Sequence, residues 1–546
     1  MTRPHGLFAG IDVSTQGCKL VVIDPEASDV LHVDAVVYDD DLPRYGTKDG
    51  VIAGATAGVS ESDPRMWVAA VETVLGRLAA SDTPQHLIRA LSVSGQQHGL
   101  VALDERGGLA RPTSKLWNDV STAEECDILT ERVGGLDAMI AEVGNSQRPG
   151  YTAGKVLHMV RHEPETWARA RTLFIVKDYI NWVLTGGPDG GVRAMEPGDA
   201  SGTALWSPLT GAWSERVLAA IAPDLREKLA PVGPSDRGIG RVSKAIAERF
   251  GLSPDCMVAP GSGDNMCAAI GTGNVREGLV TVSLGTSGTA CTYRRDPFVD
   301  PLGEIAAYRD ATGGHLPLLC VSNLANGYNE LLRLHGLTHA SFNELVATTP
   351  PGNEGRLVIP WFAGERTPDV PDAAPVYFGF ELAGLTAGPL SRGLLEGHIL
   401  NLHAGFVRLP IDRQDVREIR LTGGLSRSEA WCRTISGVFD TEVVPVAGEG
   451  AALGAALHAA WVWGLEHGTG APIEEVVEPF IVLDESRRER PDPGHRETYR
   501  RLRALFDAVS RRLRGLEAPD PFDARATLLA HPEIGEPTLD FRRGNP

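Results

Sequence analysis

Cysteine is scarce in this chain of 546 residues, and its cysteines stand apart from one another. The seven cysteines occur singly, and none belongs to a Cys-x-x-Cys pair. This pattern argues against a disulfide framework and against a zinc site built on paired cysteines. Isolated cysteines are typical of a reducing compartment, so we expect a cytoplasmic protein.

The sequence also lacks a long apolar run and an excess of basic residues. No segment approaches the roughly 20 apolar residues of a membrane-spanning helix, and the N-terminus leads into a short strand without the apolar core of a signal peptide. Lysine and arginine number 52 against 71 aspartates and glutamates, which gives a net charge of -19. Because nucleic acids and acidic lipids attract basic surfaces, we expect neither as a partner. A phosphorylated small molecule remains compatible, since a few backbone amides can bind it.

The length predicts two or more domains, because one hydrophobic core seldom organises so many residues. Two similar segments begin the two halves of the chain. A strand at residues 7–11 runs into a polar turn and returns as a second strand, and the same design recurs at residues 279–293. The turns read Ser-Thr-Gln-Gly and Gly-Thr-Ser-Gly and align without a gap. This internal repeat predicts two similar halves.

The two turns are candidate phosphate sites. Their residues are Ser14, Thr15 and Gln16 before Gly17, and Gly285, Thr286 and Ser287 before Gly288. One such turn is weak support, because tight hairpins use the same residues for conformational reasons. Two of them, each at the start of a half, indicate a nucleotide site whose phosphates are bound by backbone amides.

Other strand ends carry further candidates for a nucleotide site. Asp12 precedes the first turn, where an aspartate can hold magnesium, usually through water. Gly423 and Gly424 follow a predicted strand, and bare backbone there suits a flat adenine ring. An ordinary strand-to-helix turn is the alternative for these two glycines.

Asp264 lies near the middle of the chain, at a sharply turned corner. It follows the turn Gly261-Ser262-Gly263 and precedes a helix of small residues. Glycines permit positive φ and a close approach of backbone to ligand. Asp264 therefore has two interpretations, as the N-cap of that helix or as a carboxylate that faces a substrate.

Gln97 and His98 stand between glycines at the end of another predicted strand. Hydrogen-bonding side chains on sharply turned backbone suit a polar ligand, whereas a lone histidine is often structural. His158 and His162 are four residues apart on a predicted helix, which is a metal-ligand spacing. Because the glutamate of a zinc-protease motif is missing between them, we favour a solvent-exposed helix face over a metal site.

Taken in order, these motifs resemble those of the FGGY carbohydrate kinases. The motifs are the turn with Asp12, Ser-Gly-Gln-Gln-His-Gly (94–99), Leu-Trp-Asn-Asp (116–119), Lys-Asp-Tyr (177–179), Gly-Asp-Asn (263–265), Gly-Thr-Ser-Gly (285–288), Gly-Glu-Arg-Thr-Pro (364–368) and Thr-Gly-Gly (422–424). The resemblance extends from about Leu7 to about Arg514. It implies an α/β fold of two actin-like, ribonuclease H-like lobes with a nucleotide and sugar cleft between them. We expect a sugar-binding lobe at 1–258, an ATP-binding lobe at 259–515 and a tail of uncertain order at 516–546.

The resemblance also implies roles for individual residues. Asp264 matches the catalytic base, and Asp12 matches the acidic residue near magnesium and phosphate. Gln97 and His98 match the sugar-binding pair, and Asn265 lies beside the base. Two departures stand out: methionine is common where this chain has Gln97, and Ser262 interrupts a glycine triplet.

The implied reaction is transfer of the γ-phosphoryl group of ATP to a sugar. Within the family, residues 94–99 and 151–164 resemble the members that phosphorylate the terminal hydroxyl of D-xylulose. Ribulose, L-xylulose or a related polyol stays open because of Gln97. Two hypotheses outside sugar phosphorylation are an actin-like ATPase acting on a protein partner and a non-catalytic sugar sensor. The oligomeric state is not determined by the sequence, and a homodimer is one option.

Overall fold

The structure is a computed structural model that describes residues 5–411, 415–448, 450–468 and 470–530. Its contacts divide the chain into two units. The first unit contains the described residues of Met1–Glu277, Tyr293–Pro317 and Gly448–Ile481, and the second contains those of Gly278–Thr292, Leu318–Ala447 and Val482–Pro546. The chain therefore passes from one unit to the other several times.

The strands of the described residues are, in chain order, β1 (Leu7–Val13), β2 (Gly17–Asp24), β3 (Asp29–Val37), β4 (Thr47–Lys48), β5 (Val51–Ile52), β6 (Glu61–Ser62), β7 (Ile88–Gly95), β8 (Val101–Leu103), β9 (Ser114–Lys115), β10 (Thr172–Phe174), β11 (Trp206–Ser207), β12 (Ala212–Trp213), β13 (Gly240–Arg241), β14 (Met257–Val258), β15 (Ser262–Gly263), β16 (Leu279–Leu284), β17 (Gly288–Cys291), β18 (Ala306–Arg309), β19 (His315–Val321), β20 (Leu357–Ile359), β21 (Val376–Phe378), β22 (Glu418–Thr422), β23 (Val443–Ala447) and β24 (Val482–Leu483).

The α-helices of the same residues are α1 (Tyr38–Asp41), α2 (Pro64–Ala79), α3 (Ala123–Val133), α4 (Leu136–Val143), α5 (Thr152–His162), α6 (Pro164–Arg169), α7 (Val176–Leu184), α8 (Pro197–Ser201), α9 (Glu215–Ile221), α10 (Leu225–Lys228), α11 (Lys244–Phe250), α12 (Asp264–Gly271), α13 (Ala325–His335), α14 (His339–Thr348), α15 (Ala387–Phe406), α16 (Glu429–Phe439), α17 (Gly450–Glu466), α18 (Ile473–Val477), α19 (Arg496–Leu513) and α20 (Pro521–Leu529). No helix among the described residues is both long and apolar enough to cross a membrane.

The first unit is built on a mixed sheet. Its strand order is β13-β14-β7-β1-β2-β3, and β15 also pairs with β7. β1 is antiparallel to β2 and β2 to β3, whereas β1 and β14 run parallel to β7. β1 and β7 are almost wholly buried, as expected for central strands covered by helices. α17 packs on β1 and β7, and α2 packs on β2 and β3.

The main sheet of the second unit repeats this pattern. Its strands follow the order β19-β17-β16-β22-β23-β24. β16 is antiparallel to β17 and β17 to β19, whereas β16, β22 and β23 are parallel. The strands β19-β17-β16-β22-β23 therefore have the same relative directions as β3-β2-β1-β7-β14 of the first unit. The predicted α/β class with two similar halves is therefore confirmed, and the two turns predicted to repeat do connect β1 to β2 and β16 to β17.

The division of the chain differs from the one expected from the sequence. Residues 259–277 belong to the first unit, although we placed the start of the second lobe at residue 259. The reason is that β15 extends the sheet at β7 and α12 packs on α17. α17 itself comes from the C-terminal half of the chain and also joins the first unit.

The tail expected at 516–546 is partly helical. α20 begins after Asp520, whose carboxylate accepts hydrogen bonds from the amides of Phe522 and Asp523, and Pro521 occupies the first helical position. α20 packs against α19, and Arg525 pairs with Glu381 at 2.9 Å. Residues 531–546 of the expected tail lie outside the described residues.

α17 is rich in small residues and packs very closely on its neighbours. A Cβ atom added to Gly454 would lie 1.8 Å from the carbonyl oxygen of Cys267 on α12, and one added to Gly10 of β1 would lie 2.0 Å from the carbonyl oxygen of Ala452. Only glycine permits backbones to approach this closely. The contact fixes α12, and with it Asp264 at its first position.

The substitution Gly454→Ala tests this packing. The added methyl group overlaps the backbone of α12, so we expect a loss of about 1–3 kcal/mol or more in the free energy of unfolding. The matched control is Gly76→Ala within α2, where the added Cβ meets only the ring of Phe250 at 4.0 Å. That variant should be neutral or more stable by up to about 1 kcal/mol. Thermal melting of both variants provides the measurement, and equal melting temperatures would contradict the close approach.

Candidate active site

Three neighbouring strand ends of the first unit bring the predicted catalytic residues together. In the parallel pair β1–β7, Asp12 lies opposite Ser94. β15 joins the same end of β7, where Ser262 lies opposite Ser94 and Gly263 opposite Gly95. The chain continues from β7 into Gln97 and His98, and from β15 into Asp264. A polar site at the ends of parallel strands is the usual location in α/β folds.

Asp12 is half-buried and held by its strand neighbour. The hydroxyl group of Ser94 donates a 2.7 Å hydrogen bond to its Oδ1. Burial raises the pKa of Asp12, while the hydrogen bond from Ser94 and the charge of Lys19 act in the opposite direction. The carboxylate thus sits at the edge of the turn that follows it.

Asp264 is the first residue of α12, and its side chain does not cap that helix. Gly263 occupies the N-cap position and no side chain forms a cap bond there. The Asp264 carboxylate accepts hydrogen bonds from the backbone amide of Asn265 at 2.8 Å and from its Nδ2 at 3.0 Å. Burial, followed by the negative charge of Asp12, raises the pKa of Asp264 to about 7. A carboxylate with a pKa near neutrality is suited to exchange a proton.

The loop before Asp264 is held in place by its backbone. Gly261 adopts a φ of 66°, and a Cβ atom there would lie 1.9 Å from the carbonyl oxygen of Val93. The amide group of Asn181 donates a 2.8 Å hydrogen bond to the carbonyl oxygen of Pro260. This position therefore requires glycine, and α7 anchors the loop.

Ser262, the departure from the glycine triplet, has a structural partner. Its hydroxyl group donates to the buried carboxylate of Glu196 at 2.8 Å. Glu196 also accepts the amides of Gly198 and Asp199 and so caps α8. Ser262 therefore connects the loop of Asp264 to α8 and leaves the Asp264 carboxylate itself untouched.

A buried charged cluster beside this loop was not assigned a role from the sequence. Lys177 pairs with Asp178 at 2.5 Å and lies 3.7 Å from Asp199. Asp199 is 1% exposed, and neither of its carboxylate oxygens has a hydrogen-bond partner among the described residues. Burial raises the pKa of Asp199 and the pKa of Asp178, and Lys177 opposes both shifts. Only the tertiary fold brings Asp199 to the neighbouring residues Lys177 and Asp178.

Gln97 and Asn265 form the polar wall next to Asp264. The Nδ2 group of Asn265 donates to Gln97 Oε1 at 3.2 Å as well as to Asp264. Gln97 is 4% exposed, and its Nε2 has no hydrogen-bond partner among the described residues. A buried donor without a partner costs stability and is expected where a ligand supplies the acceptor.

His98 has an uncommon backbone conformation. Its φ is 69°, a value that few residues other than glycine adopt and that is concentrated at functional sites. Its carbonyl oxygen accepts hydrogen bonds from Lys155 Nζ at 2.8 Å and from Thr152 Oγ1 at 3.2 Å. Both donors belong to α5, so this helix holds the backbone of His98 in place.

The imidazole ring of His98 is oriented by its neighbours. Nδ1 lies 2.6 Å from the carbonyl oxygen of Gly202, and this distance assigns the proton to Nδ1. The centroid of the imidazole ring lies 4.8 Å from that of the Tyr151 ring, and Nε2 lies 3.4 Å from the hydroxyl group of Tyr308. No local sequence pattern predicted that Tyr308 belongs to this site, because Tyr308 lies 210 positions from His98 in the sequence.

One internal hydrogen bond and three neighbouring side chains hold the turn of the first unit in place. The Ser14 amide donates within the turn to Gly17. The Ser14 carbonyl oxygen accepts from Tyr38 and Gln96, and Trp117 donates to Thr15 Oγ1 at 2.9 Å. The amides at positions 15 and 16 form no hydrogen bond among the described residues. A fixed turn with two unused donors can bind an anion.

The turn of the second unit lies next to α13. The carbonyl oxygen of Thr286 accepts the amides of Leu324 and Ala325, just before and at the start of that helix. Gly423 has a φ of 87°, and a Cβ atom there would lie 2.6 Å from the carbonyl oxygen of Leu284. Gly424 has open space where its Cβ would be. The predicted phosphate turn and the predicted adenine glycines therefore meet at the ends of β16 and β22.

A cavity of about 210 Å³ opens at the same helix start in the second unit. It is lined by apolar side chains together with an amide and a carboxylate, from Asn326, Gly327, Glu330, Leu331, Leu334, Phe362, Tyr377, Leu390 and Leu394. An apolar cavity with a few polar groups is typical of a small-molecule site. Its position beside the turn was not predicted from the sequence.

Comparison with known protein families places the molecule among enzymes that phosphorylate small molecules. The N-terminal and C-terminal domain models of the FGGY family of carbohydrate kinases match residues 7–271 and 280–463. The chain belongs to the FGGY family of carbohydrate kinases, as its motifs predicted, and is an ATP-dependent enzyme.

Individual relatives share most of the chain. Xylulose kinase of Haemophilus influenzae is 33% identical over 506 residues, which cover 90% of this chain and 97% of that protein. Xylulose kinase of Streptomyces rubiginosus is 34% identical, and the alignment covers 83% of this chain and 87% of that protein. The crystal structure of xylulose kinase from Bifidobacterium adolescentis is similar at 26% identity with a TM-score of 0.75, and 91% of this chain and 99% of that chain align.

The raised pKa of Asp264 predicts a pH-dependent effect of Asp264→Asn on stability. The carboxyl group titrates at about 7 in the folded chain against an ordinary value of 3.8. Between these values the folded protein keeps a proton that the unfolded chain has lost, so the free energy of unfolding of the wild type falls as the pH rises. The Asp264→Asn variant has no carboxyl group at this position, so its free energy of unfolding does not fall in this way. Relative to the wild type, the free energy of unfolding of the variant should rise from pH 5 to pH 7 by at most about 3 kcal/mol and stay constant above pH 7.

Thermal melting between pH 5 and pH 8, without nucleotide or sugar, measures the difference. Asp40→Asn is the control, because Asp40 is exposed on the surface of the same unit. A wild-type to variant difference that does not change with pH would place the pKa of Asp264 near its ordinary value.

Proposed function

We propose that this carbohydrate kinase transfers the γ-phosphoryl group of ATP to the terminal hydroxyl group of D-xylulose and forms D-xylulose 5-phosphate. The observation that carries the proposal is the Asp264 carboxylate, whose pKa is raised to about 7 and which Asn265 connects to Gln97 in the same unit. The xylulose kinases that resemble this chain support the choice of sugar. The cysteines of the described residues form no disulfide bond, which supports a cytoplasmic location.

Asp264 acts as the general base in this proposal. Its carboxylate accepts the proton of the attacking sugar hydroxyl as the bond from that oxygen to the γ-phosphorus forms. Asn265 holds the carboxylate through two hydrogen bonds to Oδ1, which leaves Oδ2 to the substrate. Phosphoryl transfer otherwise depends on positioning and on charge stabilisation more than on covalent chemistry.

Gln97 and His98 hold the sugar. Because Nδ1 of His98 donates to Gly202, Nε2 is the acceptor of the ring, and a sugar hydroxyl can replace its long 3.4 Å contact with the hydroxyl group of Tyr308. The Nε2 group of Gln97 donates to a sugar oxygen and gains the partner that it lacks in the protein. Tyr151 packs against the imidazole ring at an interplanar angle of 45°.

The nucleotide is bound by residues of both turns and of the second unit's cavity. The amides of Thr15 and Gln16 and those of Thr286 and Ser287 contact the phosphates, while the amides of Ser14 and Gly285 stay bonded within their own turns. Gly423 and Gly424 lie along the adenine ring. The cavity beside α13 accepts the apolar part of the nucleoside.

Asp12 fits the magnesium ion that ATP carries. Magnesium takes oxygen ligands and is commonly held by one or two carboxylates together with phosphates. Asp12 supplies such a carboxylate next to the first turn, with Oδ1 fixed by Ser94. Bound there, magnesium would neutralise charge on the phosphates.

Gln97 favours a second candidate function, phosphorylation of another ketose or polyol such as ribulose or L-xylulose. A buried amide donor replaces an apolar methionine at this position, so the oxygen that it meets can differ from that of D-xylulose. The hydroxyl configuration of the sugar therefore decides between the two candidates.

A panel of sugars tests the substrate. ADP release is measured with D-xylulose, D-ribulose, L-xylulose and glycerol, for the wild type and for Gln97→Met. We expect the highest kcat/KM with D-xylulose. A higher value with another sugar would replace the substrate and retain the kinase, and a change of preference in Gln97→Met would identify Gln97 as the cause. ATP hydrolysis at the same rate without sugar would instead favour an ATPase that acts on a protein.

Asp264→Asn tests the base. Removing a general base lowers kcat by about 10²- to 10⁴-fold, and the nucleotide contacts lie elsewhere, so ATP should bind as in the wild type. Steady-state kinetics and ATP titration by calorimetry measure the two quantities. A kcat close to the wild-type value would remove Asp264 from this role.

His98→Ala serves as the comparison from the same site. It removes a sugar contact and leaves the base, so the KM for the sugar should rise far more than the KM for ATP. Equal increases in both constants would make His98 a structural residue.

A further inference from the structure

Three metal-ligating side chains meet on the surface of the first unit, away from Asp264. Glu125 of α3 extends toward α5, where His158 and His162 lie on one face of the helix. Nε2 of His162 lies 3.0 Å from Glu125 Oε1, and Nδ1 of His158 lies 3.7 Å from Glu125 Oε2. The three ligand atoms lie within 4.8 Å of one another.

The two histidines stack as neighbours one turn apart. Residues at positions i and i+4 share a helix face, and the ring centroids of His158 and His162 are 4.7 Å apart. Nδ1 of His158 is buried and has no hydrogen-bond partner among the described residues. A buried ring nitrogen without a partner is uncommon, and a ligand at this point would satisfy it.

The charges around the three ligands are compatible with a bound cation. Arg161 contacts Glu125 at 2.6 Å and Glu124 at 2.8 Å, so one guanidinium group is shared by two carboxylates. Arg161 can keep Glu124 as its partner when Glu125 turns to a metal. The side chain of Glu125 is 2% exposed, so its charge interacts strongly with any nearby cation.

We propose that Glu125, His158 and His162 bind a zinc ion. Two imidazole nitrogens and one carboxylate oxygen form a ligand set that zinc prefers, and a water molecule completes its tetrahedral coordination. Zinc bonds of about 2.0–2.2 Å place tetrahedral ligand atoms about 3.4 Å apart. Small side-chain rotations therefore close the site without moving either helix.

The third ligand of the zinc site comes from a different helix, so the spacing of the histidines could not reveal it. The sequence lacks a glutamate between the two histidines, and Glu125 of α3 lies 33 positions before His158 in the sequence. The bound ion would tie α3 to α5, the helix whose Thr152 and Lys155 hold the backbone of His98. Zinc would thus stabilise the support of the proposed sugar site without contacting it.

The experiment uses the full-length protein without an affinity tag, treated with chelator and kept free of nucleotide. Zn²⁺ is titrated by calorimetry, and thermal melting is recorded with and without Zn²⁺. We expect one tightly bound Zn²⁺ per chain and a higher melting temperature in its presence, because a ligand that binds only the folded state stabilises it. The visible spectrum of bound Co²⁺ should be that of a tetrahedral ion.

His158→Gln and His162→Gln each remove one ligand. Each should weaken Zn²⁺ binding by more than about 10-fold, which is the lower end of the loss caused by removing even an outer-shell partner. Circular dichroism checks that both variants are folded. Equal Zn²⁺ affinity in the wild type and both variants, or no binding by the folded wild type at micromolar Zn²⁺, would overturn the proposal.

Two further variants separate the ligands from their surroundings. Arg161→Gln keeps all three ligands and removes the competing guanidinium group, so it should bind Zn²⁺ at least as tightly as the wild type. His86→Gln removes an exposed histidine elsewhere in the first unit and should change nothing. A loss of binding in His86→Gln equal to that in the ligand variants, or a loss confined to Arg161→Gln, would overturn the proposal.

Discussion

The first unit depends on the burial of carboxylates at the ends of its parallel strands. Asp12 and Asp264 are close enough for the charge of one to raise the pKa of the other, and burial raises the pKa of both. Such groups destabilise a fold unless hydrogen bonds and cations compensate them. Ser94 and the charge of Lys19 compensate Asp12, and Asn265 compensates Asp264. The same arrangement that costs stability leaves Asp264 with a pKa close to neutrality.

Close backbone packing holds this arrangement in position. Gly454 of α17 and Gly10 of β1 allow α17 to approach α12 and β1 more closely than any side chain at these positions would permit. Because Asp264 is the first residue of α12, the location of its carboxylate follows from that contact. A segment from the C-terminal half of the chain thereby determines the geometry of a residue near its middle.

The two units share one strand order and carry different side chains at equivalent places. In the first unit, the strand ends present carboxylates, an amide and an imidazole. In the second unit, the corresponding ends present glycines beside a cavity. Duplicated topology with separate chemistry agrees with the proposed division between sugar and nucleotide. The residues at the strand ends support this division, since the fold alone serves many functions.

The sequence by itself determined the local features of this protein. Alternating strand and turn patterns predicted the hairpins at Ser14–Gly17 and Gly285–Gly288, their repetition and the small-residue helix, because these depend on nearby residues. The motifs also identified the family. Tertiary structure alone decided that Tyr308 reaches His98, that Asp199 joins Lys177, that Glu125 meets His158, and where the chain divides. Such contacts join residues distant in the chain, and their positions follow from how helices pack on sheets, which no local pattern encodes.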